Sequence, residues 1–192
     1  MGAKVGRILF TREEIQSRLD GLAAAIESRY GKSEVTIVCV LKGSLVFTAD
    51  LIRRLSMPVR VDILEMASYF DGTRPSEHAV LSNYLVRDVR GRHVLVVDDI
   101  VDTGATLRGV LELLRREKPK SLATCVFLKK RHGRQTAGTP VAVDFCGFEL
   151  KSPGFVVGYG LDYAQRYRNL PYLAVLEGIP KGLRRSRRQG SR

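Results

Sequence analysis

Long apolar runs are missing from this 192-residue chain, and none approaches the roughly 20 residues of a membrane-spanning helix. The opening Met1-Gly2-Ala3-Lys4-Val5-Gly6 lacks the apolar stretch of a secretory leader. Gly6 also stands where a myristoylation signal needs Ser or Thr. Cysteine is scarce. Cys39, Cys125 and Cys146 are odd in number and far apart, with no Cys-x-x-Cys spacing. That pattern reads as inert buried thiols in a reducing compartment, and a cytoplasmic location is expected. No internal repeat is visible. The phosphate loop GxxxxGK[ST] and the dinucleotide fingerprint GxGxxG are both absent, which removes two common nucleotide-binding classes. Acidic residues are missing from the last twelve positions, where Lys181, Arg184, Arg185, Arg187, Arg188 and Arg192 lie.

What is present is ordinary for one globular domain, with 44% hydrophobic and 27% charged residues. A chain of this length buries roughly 70% of the surface that its unfolded form exposes. The net charge is +12, and six of those charges sit in the tail. Residues 181–192 are expected to be a disordered basic extension, either merely solvated or making a salt-sensitive nucleic-acid contact. The rest of the chain is still basic, which suits polyanionic small molecules as well as nucleic acid.

Periodicity gives the organisation. Thr11 and Glu14 form a capping box, and Ile15, Leu19, Leu22 and Ile26 follow at helical spacing up to a stop at Gly31. Strands are expected at 35–41, 59–65, 93–97 and 121–128, with shorter ones at 83–86, 142–146, 155–159 and 172–176. Helices are expected at about 45–55 and 105–117. A long polar loop, 70–82, is long enough to be functional. Continuous Val/Ile/Leu strands alternating with amphipathic helices predict an α/β fold, a parallel sheet covered on both faces.

The stretch VLVVDDIVDTGATL, 94–107, ends an apolar strand in carboxylates. Ligands of open α/β sheets bind beyond the carboxyl ends of the strands. With the strand ending at Val97 and the helix starting at Ala105, residues 103–106 fall at the first helical turn. Unpaired amides and the positive dipole end favour a phosphate there. Gly104 allows close backbone approach, and the Thr103 and Thr106 hydroxyls add donors. Asp98 and Asp99 suit sugar hydroxyls and a hard cation such as Mg2+. A phosphate cradle beside two such acids points to a ribose 5-phosphate with a metal nearby. The haloacid dehalogenase pattern needs Asp-x-Asp, whereas the spacing here is Asp-Asp-x-x-Asp. Solvated acids at a strand end would be costly without a ligand or cation.

VVDDIVDTGAT, 96–106, resembles the phosphoribosyl-pyrophosphate motif of the type I phosphoribosyltransferases. VCVLKGSLVFTADL (38–51) is similar to the pyrophosphate loop of the hypoxanthine-guanine subgroup, and ASYFDGT (67–73) to the start of its mobile loop. The stretch from Val143 to Leu176 resembles the subgroup's purine-binding region. The resemblance covers about residues 35–177. It implies the type I phosphoribosyltransferase fold, a mainly parallel twisted sheet with a small hood. The core would be about 35–140, the hood about 1–34 and 141–180, and the basic tail 181–192. It implies purine salvage, in which phosphoribosyl pyrophosphate and a 6-oxopurine give IMP or GMP with Mg2+ as cofactor. A homodimer or homotetramer and no membrane partner are implied as well.

The resemblance also carries roles to matching positions. Asp98 and Asp99 would bind the ribose hydroxyls, directly or through Mg2+, and Asp102 would be the general base for purine N7. Thr103, Gly104, Ala105 and Thr106 would hold the 5-phosphate. Lys42, Gly43 and Arg168 would bind pyrophosphate, the Leu41–Lys42 bond would be cis, and Ser68 and Tyr69 would close over the reaction. Lys130 would donate to the purine 6-oxo group, Phe155 would stack on the base, Val156 would offer backbone groups to its edge, and Asp162 would bind a second Mg2+. Plainer readings stand beside these. Phe155 could be a core aromatic, Lys130 a solvated lysine with Lys129 in its place, and Asp162 and Arg168 a simple ion pair. The subgroup commonly has Glu where Asp98 stands, the stretch 133–141 is longer than usual, and the tail has no counterpart. Two other functions compete: a xanthine-preferring enzyme, and an RNA-binding regulator built on the same fold.

Overall fold

The computed structural model describes residues 2–67, 70–71, 74–75, 80–84, 89–130, 141–151 and 154–179. Ser68, Tyr69 and the tail 181–192 lie outside the described residues. In chain order the elements are β1 (Lys4–Phe10), α1 (Arg12–Tyr30), β2 (Val35–Leu41), α2 (Leu45–Ile52), β3 (Val59–Ala67), β4 (Phe70–Asp71), β5 (Arg74–Pro75), β6 (Val80–Tyr84), β7 (His93–Val101), α3 (Ala105–Arg116), β8 (Ser121–Lys130), β9 (Phe145–Leu150), β10 (Val156–Val157) and β11 (Leu173–Glu177). No described helix is long and apolar enough to cross a membrane.

The main sheet has the order β6-β3-β2-β7-β8-β9. β3, β2, β7, β8 and β9 run parallel, and β6 joins β3 antiparallel at the edge. This is the fold expected of the type I phosphoribosyltransferases. The pattern of each strand explains its place. β2 is buried over six successive residues because both its faces are covered. In β7, Leu95 and Val97 join a cluster with α1 and α2 side chains such as Ile15, Leu19 and Phe47. Val94 and Val96 face the other way, onto Leu107, Val110 and Leu114 of α3.

The local signals work as physical chemistry requires. The Thr11 amide donates to the Glu14 carboxylate at 2.8 Å, and the Glu14 amide to the Thr11 hydroxyl at 3.3 Å. Gly31, at φ 58°, ends α1, and its amide donates to the Glu27 carbonyl. Cys39 and Cys125 are buried free thiols, and burial pushes the Cys125 thiol far up from its ordinary value.

A second sheet, β1-β11-β10, is antiparallel, and its Val156 and Val175 line one cavity with Asp102 and Lys130 at the carboxyl ends of β7 and β8. Its own core is Val157, Leu176 and Ile179, with Ala3, Phe155, Tyr163 and Tyr167 packed around them.

Several expected boundaries shift. β7 does not stop at Val97 but runs to Val101, because Ile100 and Val101 continue the parallel ladder opposite Leu128 and Lys129 of β8. Asp98 and Asp99 therefore sit inside a strand rather than in a loop. The strand expected at 83–86 forms at Val80–Tyr84, and α2 ends at Ile52. The segment 142–146 becomes Phe145–Leu150, which is taken into the main sheet beside β8. Helix α1 packs on that same sheet, so α1 and β9 side with the core rather than the hood.

Candidate active site

The carboxyl ends of β2, β7 and β8 bring three segments to one place. At the end of β7 the Asp98 side chain is buried, and its carboxylate accepts the Asp99 amide at 2.9 Å. The Asp99 carboxylate accepts the Ile100 amide at 2.8 Å. Each acid thus holds the backbone that follows it, which fixes its orientation. β2 ends at a cis Leu41–Lys42 bond, as expected. Gly43 then lies so close to Asp99 that a Cβ built there would stand 2.5 Å from the Asp99 carboxyl carbon. Gly160 of the hood packs on the other side of Gly43, with no room for a Cβ against the Gly43 carbonyl. Gly160 has φ 94°, a conformation that favours glycine. The result is a set of close contacts from Gly160 of the hood to Gly43 and from Gly43 to Asp99.

Beyond the acids, Asp102, Thr103, Ala105 and Thr106 are exposed and Gly104 is buried. Gly104 adopts φ 77° at the N-cap of α3. Gly104 brings no side chain to cap that helix and no acid occupies its first turn, which favours an anion there. The Ala105 amide reaches the Thr103 hydroxyl at 3.3 Å. Lys42 pairs with Glu65 at 3.8 Å.

A cavity of about 470 Å³ opens beside this site. Ile100, Asp102, Lys130, Phe155, Val156 and Glu177 are among its walls. The Lys130 ammonium donates to the Asp102 carboxylate at 2.8 Å. Lys129 instead points to Glu149, at 3.7 Å, so Lys130 is the lysine of the pocket. Phe155 is half-buried and meets Tyr163 edge-on at 5.5 Å. Val156 stands opposite Val175, and the flanking Phe155 carbonyl accepts the Leu176 amide at 2.8 Å. In such a ladder the intervening residue turns its own amide and carbonyl away from the partner strand. β10 is an edge of its sheet, so those two groups of Val156 are directed outward.

Asp162 and Arg168 form an ion pair at 3.0 Å. Arg168 also donates to the Gly160 carbonyl at 2.7 Å, and Asp162 accepts the Gln165 amide. Their plainer reading is thus realised, yet the pair braces the residue that packs on Gly43. Asp162 does not join the acid pair: among the described residues no three His, Cys, Asp or Glu side chains form a metal cage. Mg2+ is commonly held by one or two carboxylates and completed by substrate phosphates. Two adjacent carboxylates with hard oxygen donors, as at Asp98 and Asp99, fit that donor set.

The sequence of residues 9–164 matches the family model described as the phosphoribosyl transferase domain. The chain belongs to the phosphoribosyltransferase family. The hypoxanthine-guanine phosphoribosyltransferase of Bacillus subtilis is 40% identical over 173 residues, covering 90% of this chain and 94% of that protein. The hypoxanthine-guanine-xanthine phosphoribosyltransferase of Tritrichomonas foetus is 36% identical over 171 residues, covering 89% and 91%. A crystal structure of a hypoxanthine-guanine phosphoribosyltransferase from Bacillus anthracis superposes with a TM-score of 0.83 at 33% identity, over 91% of this chain and 99% of that one.

Sequence reasoning missed several parts of this phosphoribosyltransferase's site. Tyr159 is buried, and its hydroxyl donates to Asp50 of α2 at 2.6 Å. Burial, then the bond to Asp50, pushes the Tyr159 hydroxyl well above its ordinary value. Burial works to raise the Asp50 pKa as well, yet hydrogen bonds from Tyr159, Arg53 and Gln16 hold it below the usual range. This link ties the hood to α2 next to Gly160. The glycines at 158 and 160, on either side of an aromatic, were the available signal of a close backbone approach. Glu177 carried no signal, since its place in the cavity depends on the β1–β11 ladder.

Proposed function

We propose that this protein transfers the 5-phosphoribosyl group from phosphoribosyl pyrophosphate to hypoxanthine or guanine, giving IMP or GMP and pyrophosphate. The observation that carries the reading is the join of two half-sites. An acid pair and an uncapped helix start on β7–α3 adjoin a cavity walled by Phe155, Val156 and the Asp102–Lys130 pair. The first half suits a ribose phosphate and the second a flat heterocycle with polar edges. The family relation supports the same reaction class.

Each residue then has a task. The amides of residues 103–106 and the Thr103 and Thr106 hydroxyls hold the 5-phosphate. Asp98 and Asp99 hold the ribose hydroxyls, Asp99 kept in place by Gly43. Lys42 and the Gly43 backbone receive the pyrophosphate, and Arg168 orders Gly160 above them. Ser68 and Tyr69 of the 67–73 loop are assigned to closure over the reaction, which excludes water. Phe155 stacks on the base, Val156 reads its edge with its outward amide and carbonyl, and Lys130 donates to the 6-oxo oxygen. The bond from C1 to pyrophosphate breaks, and its electron pair leaves with the pyrophosphate. A purine ring nitrogen forms the new bond to C1, and Asp102 takes the N7 proton. Lys130 holds the Asp102 carboxylate in place at 2.8 Å. Asp98 and Asp99 would hold Mg2+, which when bound would supply charge neutralisation for the departing pyrophosphate.

Relatives named for two bases and for three have similar identity to this chain, so overall identity does not select the base. The test is pyrophosphate release with hypoxanthine, guanine, xanthine and adenine at saturating Mg2+. Turnover with hypoxanthine or guanine is expected. No turnover with any 6-oxopurine overturns the reading, and RNA binding without turnover would favour a regulator. We also propose a homodimer or homotetramer, supported by the exposed apolar side chains Leu45, Val61 and Ile63. Sedimentation as a monomer at micromolar concentration would refute it.

A further inference from the structure

The charged lining of the base cavity is unbalanced. Three of its residues carry charge: Asp102, Lys130 and Glu177. Asp102 and Lys130 neutralise one another across 2.8 Å. Glu177 has no ion-pair partner among the described residues. It lies on β11 two positions after Val175, so both side chains project from the same face, and both line the cavity. The Glu177 side chain folds across Gly6 of β1, where an added Cβ would stand 2.7 Å from its Cγ. Lys4 stands directly across the ladder from Glu177, and it is the nearest cation of β1 in register, yet the carboxylate is laid towards Gly6 instead. Among the described residues the lining thus carries one carboxylate more than it has cations.

We propose that Glu177 is a specificity-determining residue that selects against anionic purines. This rests on the phosphoribosyl transfer proposed above. Hypoxanthine and guanine are neutral at neutral pH. Xanthine carries a second oxo group and loses a proton close to neutrality, so it enters the pocket partly as an anion. A fixed carboxylate on the wall repels that anion and leaves a neutral base unaffected. With the strong solvent screening of an exposed carboxylate, one unit charge changes relative affinity about two- to sixfold. The effect acts through charge alone, so it must vanish when the base is neutral.

The experiment compares unmodified enzyme with E177Q and E177K. The quantity read is the ratio of kcat/KM for xanthine to kcat/KM for hypoxanthine, at pH 6 and at pH 8.5. At pH 8.5 the ratio is expected to rise about two- to sixfold in E177Q, and further in E177K, where the charge change is doubled. At pH 6 the variants should converge on the unmodified ratio. An unmoved ratio at pH 8.5 overturns the assignment. So does an equal rise at both pH values, which would mark a change of shape rather than charge. Absence of hypoxanthine turnover by the unmodified enzyme would instead overturn the reaction on which the assignment rests, so the two failures are told apart.

Discussion

Replacing Gly43 with alanine would set a methyl carbon 2.5 Å from the Asp99 carboxyl carbon, where ordinary contact begins at 3.4 Å. A carboxylate oxygen of Asp99 stands nearer still, so one of the two must retreat by more than about 0.9 Å. The Gly43 backbone cannot yield easily, because Gly160 is packed against its carbonyl from the other side. The carboxylate is the softer partner, although it holds the Ile100 amide at 2.8 Å and must strain that bond to move. Gly43 does not occupy a left-handed conformation, so alanine brings no backbone penalty of its own. The substitution is therefore a displacement of Asp99 with the fold kept. A misplacement of about 1 Å in a positioned group costs on the order of 10²-fold in rate, or about 2.7 kcal/mol of transition-state stabilisation. The assay is kcat/KM for phosphoribosyl pyrophosphate at saturating hypoxanthine, with Tm measured in parallel. A fall of about a hundredfold at nearly constant Tm is expected. Activity within threefold of the unmodified enzyme would refute the reasoning, since the position of Asp99 would then not matter to the site.

Other perturbations separate chemistry from scaffold. Asp102→Asn keeps the shape and an acceptor for Lys130, so kcat should fall about 10²- to 10⁴-fold while titration calorimetry still shows phosphoribosyl pyrophosphate binding; an unchanged kcat removes Asp102 as the base. Gly21→Ala in α1, where nothing lies within 4 Å of the added carbon, should raise unfolding free energy by roughly 0.5–1 kcal/mol in urea. Asp144 is raised by burial but lowered further by Arg29 and by the Thr124 amide and hydroxyl, for a net depression. A depressed carboxylate stabilises above its unfolded pKa, and that stability is lost as pH falls through the folded value. Asp144→Asn should thus cost about 1–2 kcal/mol at pH 7, allowing for its partial exposure, and the gap should close below about pH 4; a gap constant down to pH 3 contradicts this.

The β7 stretch and the segments beside it were legible because their signals are local. A capping box, a run of buried Val and Leu, and Thr-Gly-Ala-Thr at a helix start each act within a few residues, and the structure has all three. What the sequence hid depends on distant partners. β1 was not anticipated: its exposure alternates poorly, it contains Gly6, and it is a strand only because β11 pairs with it. The extension of β7 through both acids needs Leu128 and Lys129 of β8. The link from Tyr159 to Asp50 spans 109 residues and has no local pattern. The plainer reading of Asp162 and Arg168 as an ion pair was legible, but only packing reveals that the pair braces Gly160.

The ladder of β1 with β11 places Lys4 opposite Glu177, so the earliest strand to be made is completed by the last. On the ribosome, β2, β7 and β8 can assemble once Lys130 has emerged, and with them the segments assigned to the sugar phosphate. The wall assigned to the base has to wait for β11. At roughly 5–20 residues per second, the interval over which the remaining strands are made is about 2–10 s. For those seconds β1 is an edge without its mate, exposed to wrong pairing or to a chaperone. The segments assigned to the sugar phosphate are thus made before the wall assigned to the base.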